Sequence, residues 1–150
     1  MVHGPNPSAN IRALMTAVKR GAPLPLASVR NQRAFLGRDN LSSFISHVLA
    51  HPPAAGVVHG WTLADADTPS TPEFIRLLGA AVRRPARLTP CPPALLRHGL
   101  ALAGRRGMAE SRLDSFRIDI SGLISASGWT PPYSLTEGLR RMASAPGRAS

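Results

Sequence analysis

The sequence predicts a single, mostly helical α/β domain with a few short strands. Its 150 residues are enough for one domain with a modest core. Apolar residues recur at helical spacing in several short segments. Turns and loops rich in Pro and Gly separate these segments; the chain contains 15 Pro and 13 Gly residues. An apolar fraction of 43% with 17% charged residues is typical of a folded chain and unlike that of a disordered one.

The helical segments are short, and each ends at Pro, Gly or a polar turn. The predicted helices cover residues 11–18, 41–49, 73–82, 93–103 and 134–142, with a shorter amphipathic segment at 118–124. Ser70 or the residue after it can cap the third helix, Pro72 suits its first turn, and Glu73 complements the helix dipole. Asp39 or Asn40 is expected to cap the second helix.

Strand signals are fewer. Residues 57–64 are rich in Val, Trp, Thr and Leu and lie between a glycine and an acidic turn, which predicts a strand. Residues 85–88 predict a second short strand. The last residues, 145–150, are expected to form a disordered tail.

The charge of the chain is strongly basic, with a formal net charge of +10 and a sequence pI near 11.7. Lys19 is the single lysine, and the arginines are spread from Arg12 to Arg148 instead of forming one run. No recognition motif for DNA or RNA accompanies them. We therefore interpret the charge as a solvated basic surface, with a nucleic-acid-associated protein as an alternative.

Redox and metal chemistry have little support in the sequence. Cys91 is the single cysteine, so no internal disulfide or cysteine-based metal site is expected. His47 and His51 have a spacing that suits two ligands on one helix face, but no third ligand is evident, and we predict no metal site. The start of the chain lacks the pattern of a signal peptide, and no apolar run reaches about 18 residues. We expect a cytoplasmic protein without membrane contact.

Four segments, taken in order, resemble a known family. Residues 2–5 (Val-His-Gly-Pro) resemble a Val-Tyr-Gly-Pro motif at the end of a core strand. Residues 33–41 resemble an Arg-Ser-Phe-Val-Tyr-Val-Asp-Asn-Leu stretch. Residues 63–75 resemble the strand, loop and helix that follow, and residues 128–139 resemble a closing Gly-Trp-x-Pro signature. The chain is similar to the carboxyl-terminal, substrate-binding part of the extended short-chain dehydrogenase/reductase family, which contains nucleotide-sugar epimerases and dehydratases.

The resemblance implies a substrate-binding portion at residues 1–144 without the Rossmann half that binds NAD in the intact family. Family members also use a Tyr-x-x-x-Lys pair. Here the single tyrosine, Tyr133, has Glu137 at the lysine position, and Lys19 has no tyrosine four residues before it. We therefore expect no catalytic residue and no cofactor bound by this chain alone.

Binding residues are implied by position in the family pattern. Asn10 matches an asparagine near the substrate diphosphate, Leu24 and Pro25 match the segment that passes the base, and Arg33 matches a phosphate or ribose contact. Arg112 lies near a second family arginine. A guanidinium suits phosphate because its planar fork makes two parallel hydrogen bonds. The alternatives are that Asn10 caps the first helix and that both arginines are ordinary surface residues.

Departures from the family pattern are also present. Gly37 and Arg38 stand where an aromatic residue and an apolar residue are usual, which places a charge in an expected strand. His3 replaces the usual tyrosine.

The resulting hypothesis is a truncated NAD-dependent nucleotide-sugar epimerase or dehydratase that is inactive alone. It would bind a nucleotide-diphosphate sugar, but no specific nucleic acid and no membrane. The alternatives are a non-catalytic sugar-nucleotide-binding or regulatory module, or one subunit of a split enzyme whose Rossmann half is separately encoded.

Overall fold

The computed structural model describes residues 1–54, 56, 58–92, 94–95 and 115–145. Within these residues the helices are α1 (Ala9–Lys19), α2 (Arg38–Ala50), α3 (Thr71–Ala81), α4 (Ser121–Ser127) and α5 (Leu135–Ser144). The strands are β1 (Val2–His3) and β2 (Leu36–Gly37). The predicted class, a mostly helical α/β fold with a few short strands, is confirmed.

Helix starts follow the local sequence. The Ser70 hydroxyl accepts from the Glu73 backbone N–H, and the Glu73 carboxylate accepts from the Ser70 backbone N–H at 2.7 Å, so α3 begins with a complete capping box. Ser134 caps α5 through the backbone N–H of Glu137. Helix α1 ends before Gly21, whose φ of +68° favours glycine at the chain reversal.

The sheet is small and parallel. Val2 pairs with Leu36 and His3 with Gly37. A separate parallel bridge joins Leu24 to Leu88. The predicted strand at 85–88 is thus reduced to one bridging residue.

Two apolar clusters form the core of the described fold. The larger is built from α1, α3 and α5 around residue 35, and the Phe35 and Phe74 rings stack within it at a centroid distance of 4.3 Å. The smaller joins α2 to α4, where Phe44 packs edge-on against Trp129 at 5.2 Å. Stacked and edge-on aromatic pairs contribute about 0.5–1.5 kcal/mol beyond area burial.

Some local expectations were wrong. Residues 58–64 form no strand, and Val58 is 99% exposed. Arg38 begins α2 in an exposed position, hydrogen-bonded to the Pro5 carbonyl, so no charge lies within a buried strand. The residue before α2 is Gly37, and Asn40 is buried within the first turn instead of capping it.

Several predictions fall on residues that the structure leaves undescribed. The helix at 93–103 does so except for residues 94 and 95, and the tail at 145–150 does so except for Ala145. In the part of the chain that is described, every helix is too short or too polar to cross a bilayer.

Candidate functional site

The centre of the candidate site is the extended segment of residues 33–37, which is hydrogen-bonded along both edges. On one edge the Arg33 backbone N–H donates to the Pro69 carbonyl at 3.1 Å, and the Phe35 carbonyl accepts from the Asp65 backbone N–H at 2.7 Å. This edge therefore connects the segment to the loop that precedes α3.

The other edge is fixed by segments far away in sequence. The Ala34 N–H donates to the Phe116 carbonyl at 2.7 Å, and the Leu36 N–H donates to the Met1 carbonyl at 2.9 Å. Arg33 and Phe116 form a parallel bridge. The half-buried Arg33 side chain thus projects from a backbone that is held on both sides.

A shallow depression of about 540 Å³ is lined in part by Pro69, whose carbonyl accepts from the Arg33 N–H. Its lining is Asp67, Thr68, Pro69, Glu73, Arg76, Leu77 and Thr136. The Asp67 carboxylate accepts from the Leu135 backbone N–H at 3.1 Å, and Glu73 is used in the capping box. Arg76 is the single cation of this lining, so the two carboxylates leave a net negative charge that disfavours a diphosphate.

A buried polar cluster stands behind the segment, and the sequence interpretation missed it. Its members are His3, Gly37, Asn40, Asp65 and Tyr133. The Asp65 carboxylate contacts His3 Nε2 at 2.8 Å, and its other oxygen accepts from the Gly37 N–H at 2.9 Å and from Asn40 Nδ2 at 2.7 Å. Burial raises the pKa of Asp65, but these hydrogen bonds outweigh burial and hold the pKa below its ordinary value.

Asn40 extends the cluster to the loop before α5. Its Nδ2 donates to the Tyr133 carbonyl at 2.9 Å, and its Oδ1 accepts from the Tyr133 N–H at 3.1 Å. The acidic residue Asp65 was visible in the sequence but was interpreted as part of a turn. No local signal indicated that His3 and Asn40 belong to this buried cluster, because their hydrogen-bond partners are distant in sequence.

The His3–Asp65 pair has the composition of an acid–base dyad but not the accessibility of one. His3 is 1% exposed and Asp65 is 2% exposed. A general acid or base must reach within hydrogen-bonding distance of a substrate proton. The pair therefore serves to connect β1, β2 and α2.

The residues implied by the family pattern lie on separate elements. Asn10 is exposed in the first turn of α1, where Ser8 is the N-cap residue, so the capping alternative for Asn10 was wrong. Leu24 is half-buried and its N–H donates to the Arg87 carbonyl at 2.8 Å, while Pro25 is exposed. Arg112 lies outside the described residues.

Metal and thiol chemistry have no assembled site in the described part of the chain. No group of three or more His, Cys, Asp or Glu residues there could hold a metal ion. The His47 and His51 rings stack at 4.7 Å, and His47 Nε2 contacts the Ser127 carbonyl at 2.7 Å. His47 is thus used to join α2 to the end of α4.

The start of α2 is the described feature that bears on dinucleotide binding. Among the described helices α2 alone begins directly after a glycine, which is one element of the glycine-rich turn that holds a pyrophosphate at a helix start. The Gly37 N–H already donates to the Asp65 carboxylate, and Asp39 adds a second negative charge in the first turn. Asp39 is itself paired with Arg141 at 3.3 Å, and Arg38 beside it is exposed. What this helix start lacks is a free Gly37 N–H for a phosphate.

Comparisons with known proteins agree with the sequence resemblance. No protein-family model matches the chain. It is 32% identical over 146 residues to a UDP-glucose 4-epimerase from Vibrio cholerae. The aligned region covers 97% of this chain and 44% of that protein. The chain thus spans less than half the length of this curated relative.

Several solved structures share the fold, among them two epimerases. The UDP-N-acetylglucosamine 4-epimerase from Bacillus cereus superposes with a TM-score of 0.68 at 15% sequence identity. The match covers 95% of this chain and 44% of the epimerase chain. The UDP-glucose 4-epimerase from Thermotoga maritima, solved with UDP-glucose, has a TM-score of 0.59 at 14% identity, covering 95% of this chain and 42% of its own. The chain is therefore a homologue of UDP-glucose 4-epimerase over less than half of that protein's length, and its resemblance to the carboxyl-terminal portion of an epimerase is supported.

Proposed function

We propose that residues 1–144 form the substrate-binding portion of a nucleotide-sugar epimerase and that Arg33 binds the diphosphate of the sugar nucleotide. The observation that carries this proposal is the extended segment 33–37, whose backbone is hydrogen-bonded on both edges around Arg33. A fixed backbone lowers the entropy cost of placing a guanidinium against phosphate. The fork geometry then allows two charge-assisted hydrogen bonds.

The remaining substrate contacts belong to the same proposal. Asn10 would contact the substrate near its diphosphate, and the segment with Leu24 and Pro25 would pass the base. The exposure of Asn10 and Pro25 is compatible with ligand contact. Arg112 stays a proposed second arginine, by sequence position alone.

The 150-residue chain by itself is proposed to be inactive as an epimerase or dehydratase. Support comes from the sequence, where the position four residues after Tyr133 holds Glu137 instead of the lysine of the catalytic pair. The Gly37 N–H at the start of α2, which already donates to the Asp65 carboxylate, adds to this support. The proposed partner that would supply NAD and the catalytic pair is a Rossmann half encoded separately. Turnover of UDP-glucose by the purified chain with added NAD, above a buffer control, would contradict the proposal.

Binding is best tested by NMR titration of the isotope-labelled chain with UDP, uridine and inorganic phosphate. We expect UDP to bind with a Kd of about 1 mM, which corresponds to about 4 kcal/mol. Loss of a charge-assisted hydrogen bond costs about 1.5–3 kcal/mol. Arg33→Ala should therefore weaken binding by about tenfold or more, and Arg33→Lys should weaken it less because the charge remains.

The matched control is Arg140→Ala, which removes an exposed arginine from α5. It should leave the UDP affinity unchanged. Equal chemical-shift responses to UDP and phosphate, or equal losses in the Arg33 and Arg140 variants, would show that binding is nonspecific attraction to a basic chain.

A further inference from the structure

Five exposed cations lie at the end of the fold where α1 and α3 terminate. Two of them close α1, and three follow α3. We call this group the basic end surface; its members are Lys19, Arg20, Arg83, Arg84 and Arg87.

The two groups are far apart in sequence, and the fold brings them together. Arg84 Nη2 lies 3.3 Å from the position that a Cβ on Gly21 would take, so its guanidinium covers the residue directly after Arg20. The Leu24 N–H donates to the Arg87 carbonyl at 2.8 Å. The chain after α1 and the chain after α3 thus form one continuous surface.

The charge of this surface is largely uncompensated. None of its five cations forms an ion pair with a carboxylate of the described residues. The sequence has no acidic residue at positions 1–38 or 74–109, which include both segments. The carboxyl-terminal ends of two helices contribute roughly −0.5 charge each. About four positive charges therefore remain after the partial negative charges of the two helix ends are offset.

We propose that the basic end surface binds the phosphate backbone of duplex nucleic acid without sequence preference. Arginine predominates in it, and guanidinium groups make bidentate contacts with phosphate. Residues 19–24 and 82–88 contain no aromatic side chain, which disfavours the base stacking that single-stranded ligands need. They also carry no large exposed apolar side chain; the exposed Ile45 and Leu49 lie on α2. A membrane surface is the less suitable partner, because apolar insertion would add to the electrostatic attraction of anionic lipids and these segments cannot supply it.

Fluorescence anisotropy with two short DNA duplexes of unrelated sequence tests this proposal. The titrations are repeated at several salt concentrations, because each phosphate contact changes the slope of log K against log salt by about 0.9. We expect equal affinity for both duplexes. The triple variant R83Q/R84Q/R87Q should bind about tenfold or more weakly at low salt, with a slope smaller by about 2 to 3.

The matched control R12Q/R117Q/R140Q removes the same charge from exposed arginines elsewhere. At about 0.1 M salt it should lose less than about threefold in affinity, because attraction between exposed charges is then screened beyond about 10 Å. The variant K19Q/R20Q, on the other segment, should weaken binding as well. Agreement between these two independent sets shows that the surface, and not misfolding of one variant, is responsible.

Three results would overturn the proposal. The first is an equal loss in the two triple variants, which indicates nonspecific charge. The second is the absence of duplex binding by the unmodified chain at 50 mM salt. The third is tighter, equally variant-sensitive binding to phosphatidylserine vesicles than to DNA, which indicates a membrane partner. Arg33 is not part of this surface, so these outcomes are independent of UDP binding.

Discussion

Asp65→Ala is the substitution that we expect to destabilise the fold most. The carboxylate is 2% exposed and contacts three groups at 2.7–2.9 Å: His3 Nε2, the Gly37 N–H and Asn40 Nδ2. Alanine removes the partner of His3 Nε2 and of the Gly37 N–H, whereas Asn40 Nδ2 keeps its bond to the Tyr133 carbonyl at 2.9 Å. Each unsatisfied buried group costs about 1–3 kcal/mol, and breaking a buried pair costs about 3–5 kcal/mol.

We therefore expect Asp65→Ala to lower the free energy of unfolding by about 3–5 kcal/mol. A domain of this size has only about 5–15 kcal/mol in total, so part of the variant population should be unfolded at room temperature. Urea titration followed by circular dichroism measures the change. A loss below about 1 kcal/mol would refute the view that this cluster holds β1, β2 and α2 together.

The pH dependence gives a second test of the same cluster. The folded-state pKa of Asp65 is below its ordinary value, so Asp65 contributes stability above the unfolded pKa of about 3.9 and loses it as the pH falls through the folded value. Asp65→Asn removes this titration. The variant should show a smaller drop in unfolding free energy between pH 6 and pH 3 than the unmodified chain. An unchanged drop would mean that Asp65 is not a source of the acid sensitivity.

Three further predictions follow from close contacts, capping and ligand linkage. Gly138→Ala places a Cβ 2.5 Å from His3 Cε1 and should lower the free energy of unfolding, measured by urea titration, by about 1–3 kcal/mol. The control Gly122→Ala, whose Cβ would have no atom within 4 Å, should be neutral or stabilising. Equal effects of the two substitutions would contradict the packing argument. Ser70→Ala should cost about 1 kcal/mol through loss of the capping box, and a neutral result would show that Pro72 suffices to start α3. UDP at tenfold its Kd should raise the unfolding free energy by about 1.4 kcal/mol, and the same UDP concentration should have little effect on Arg33→Ala.

The helices were largely predictable because their signals are local. The Ser70 capping box and the Ser134 cap each lie within four residues, and the apolar spacing of α1 is complete within one segment. The strand at 57–64 failed for the opposite reason. Its composition favours β-structure, but a strand forms only where a neighbouring backbone can pair with it, and Val58 is 99% exposed.

The buried cluster was not predictable because its bonds join distant positions. Asn40 and Tyr133 are 93 residues apart, and His3 and Asp65 are 62 apart. Asn40 was interpreted as a cap because asparagine before an apolar run commonly has that role. The resemblance identified Arg33 as a candidate, but the pairing of its backbone with Pro69 and Phe116 became visible only in the structure.

Stability and binding are coupled at Asp65 in this fold. Asp65 makes two hydrogen bonds to the segment that carries Arg33. Its backbone N–H donates to the Phe35 carbonyl at 2.7 Å, and its carboxylate accepts from the Gly37 N–H at 2.9 Å. A change at Asp65 would therefore disturb the proposed nucleotide binding even though the carboxylate is too deeply buried to touch a ligand. The basic end surface is held instead by the packing of α1 on α3 and by the Leu24–Arg87 hydrogen bond. Side-chain variants at Arg33 and at Arg84 consequently probe two surfaces with separate supports.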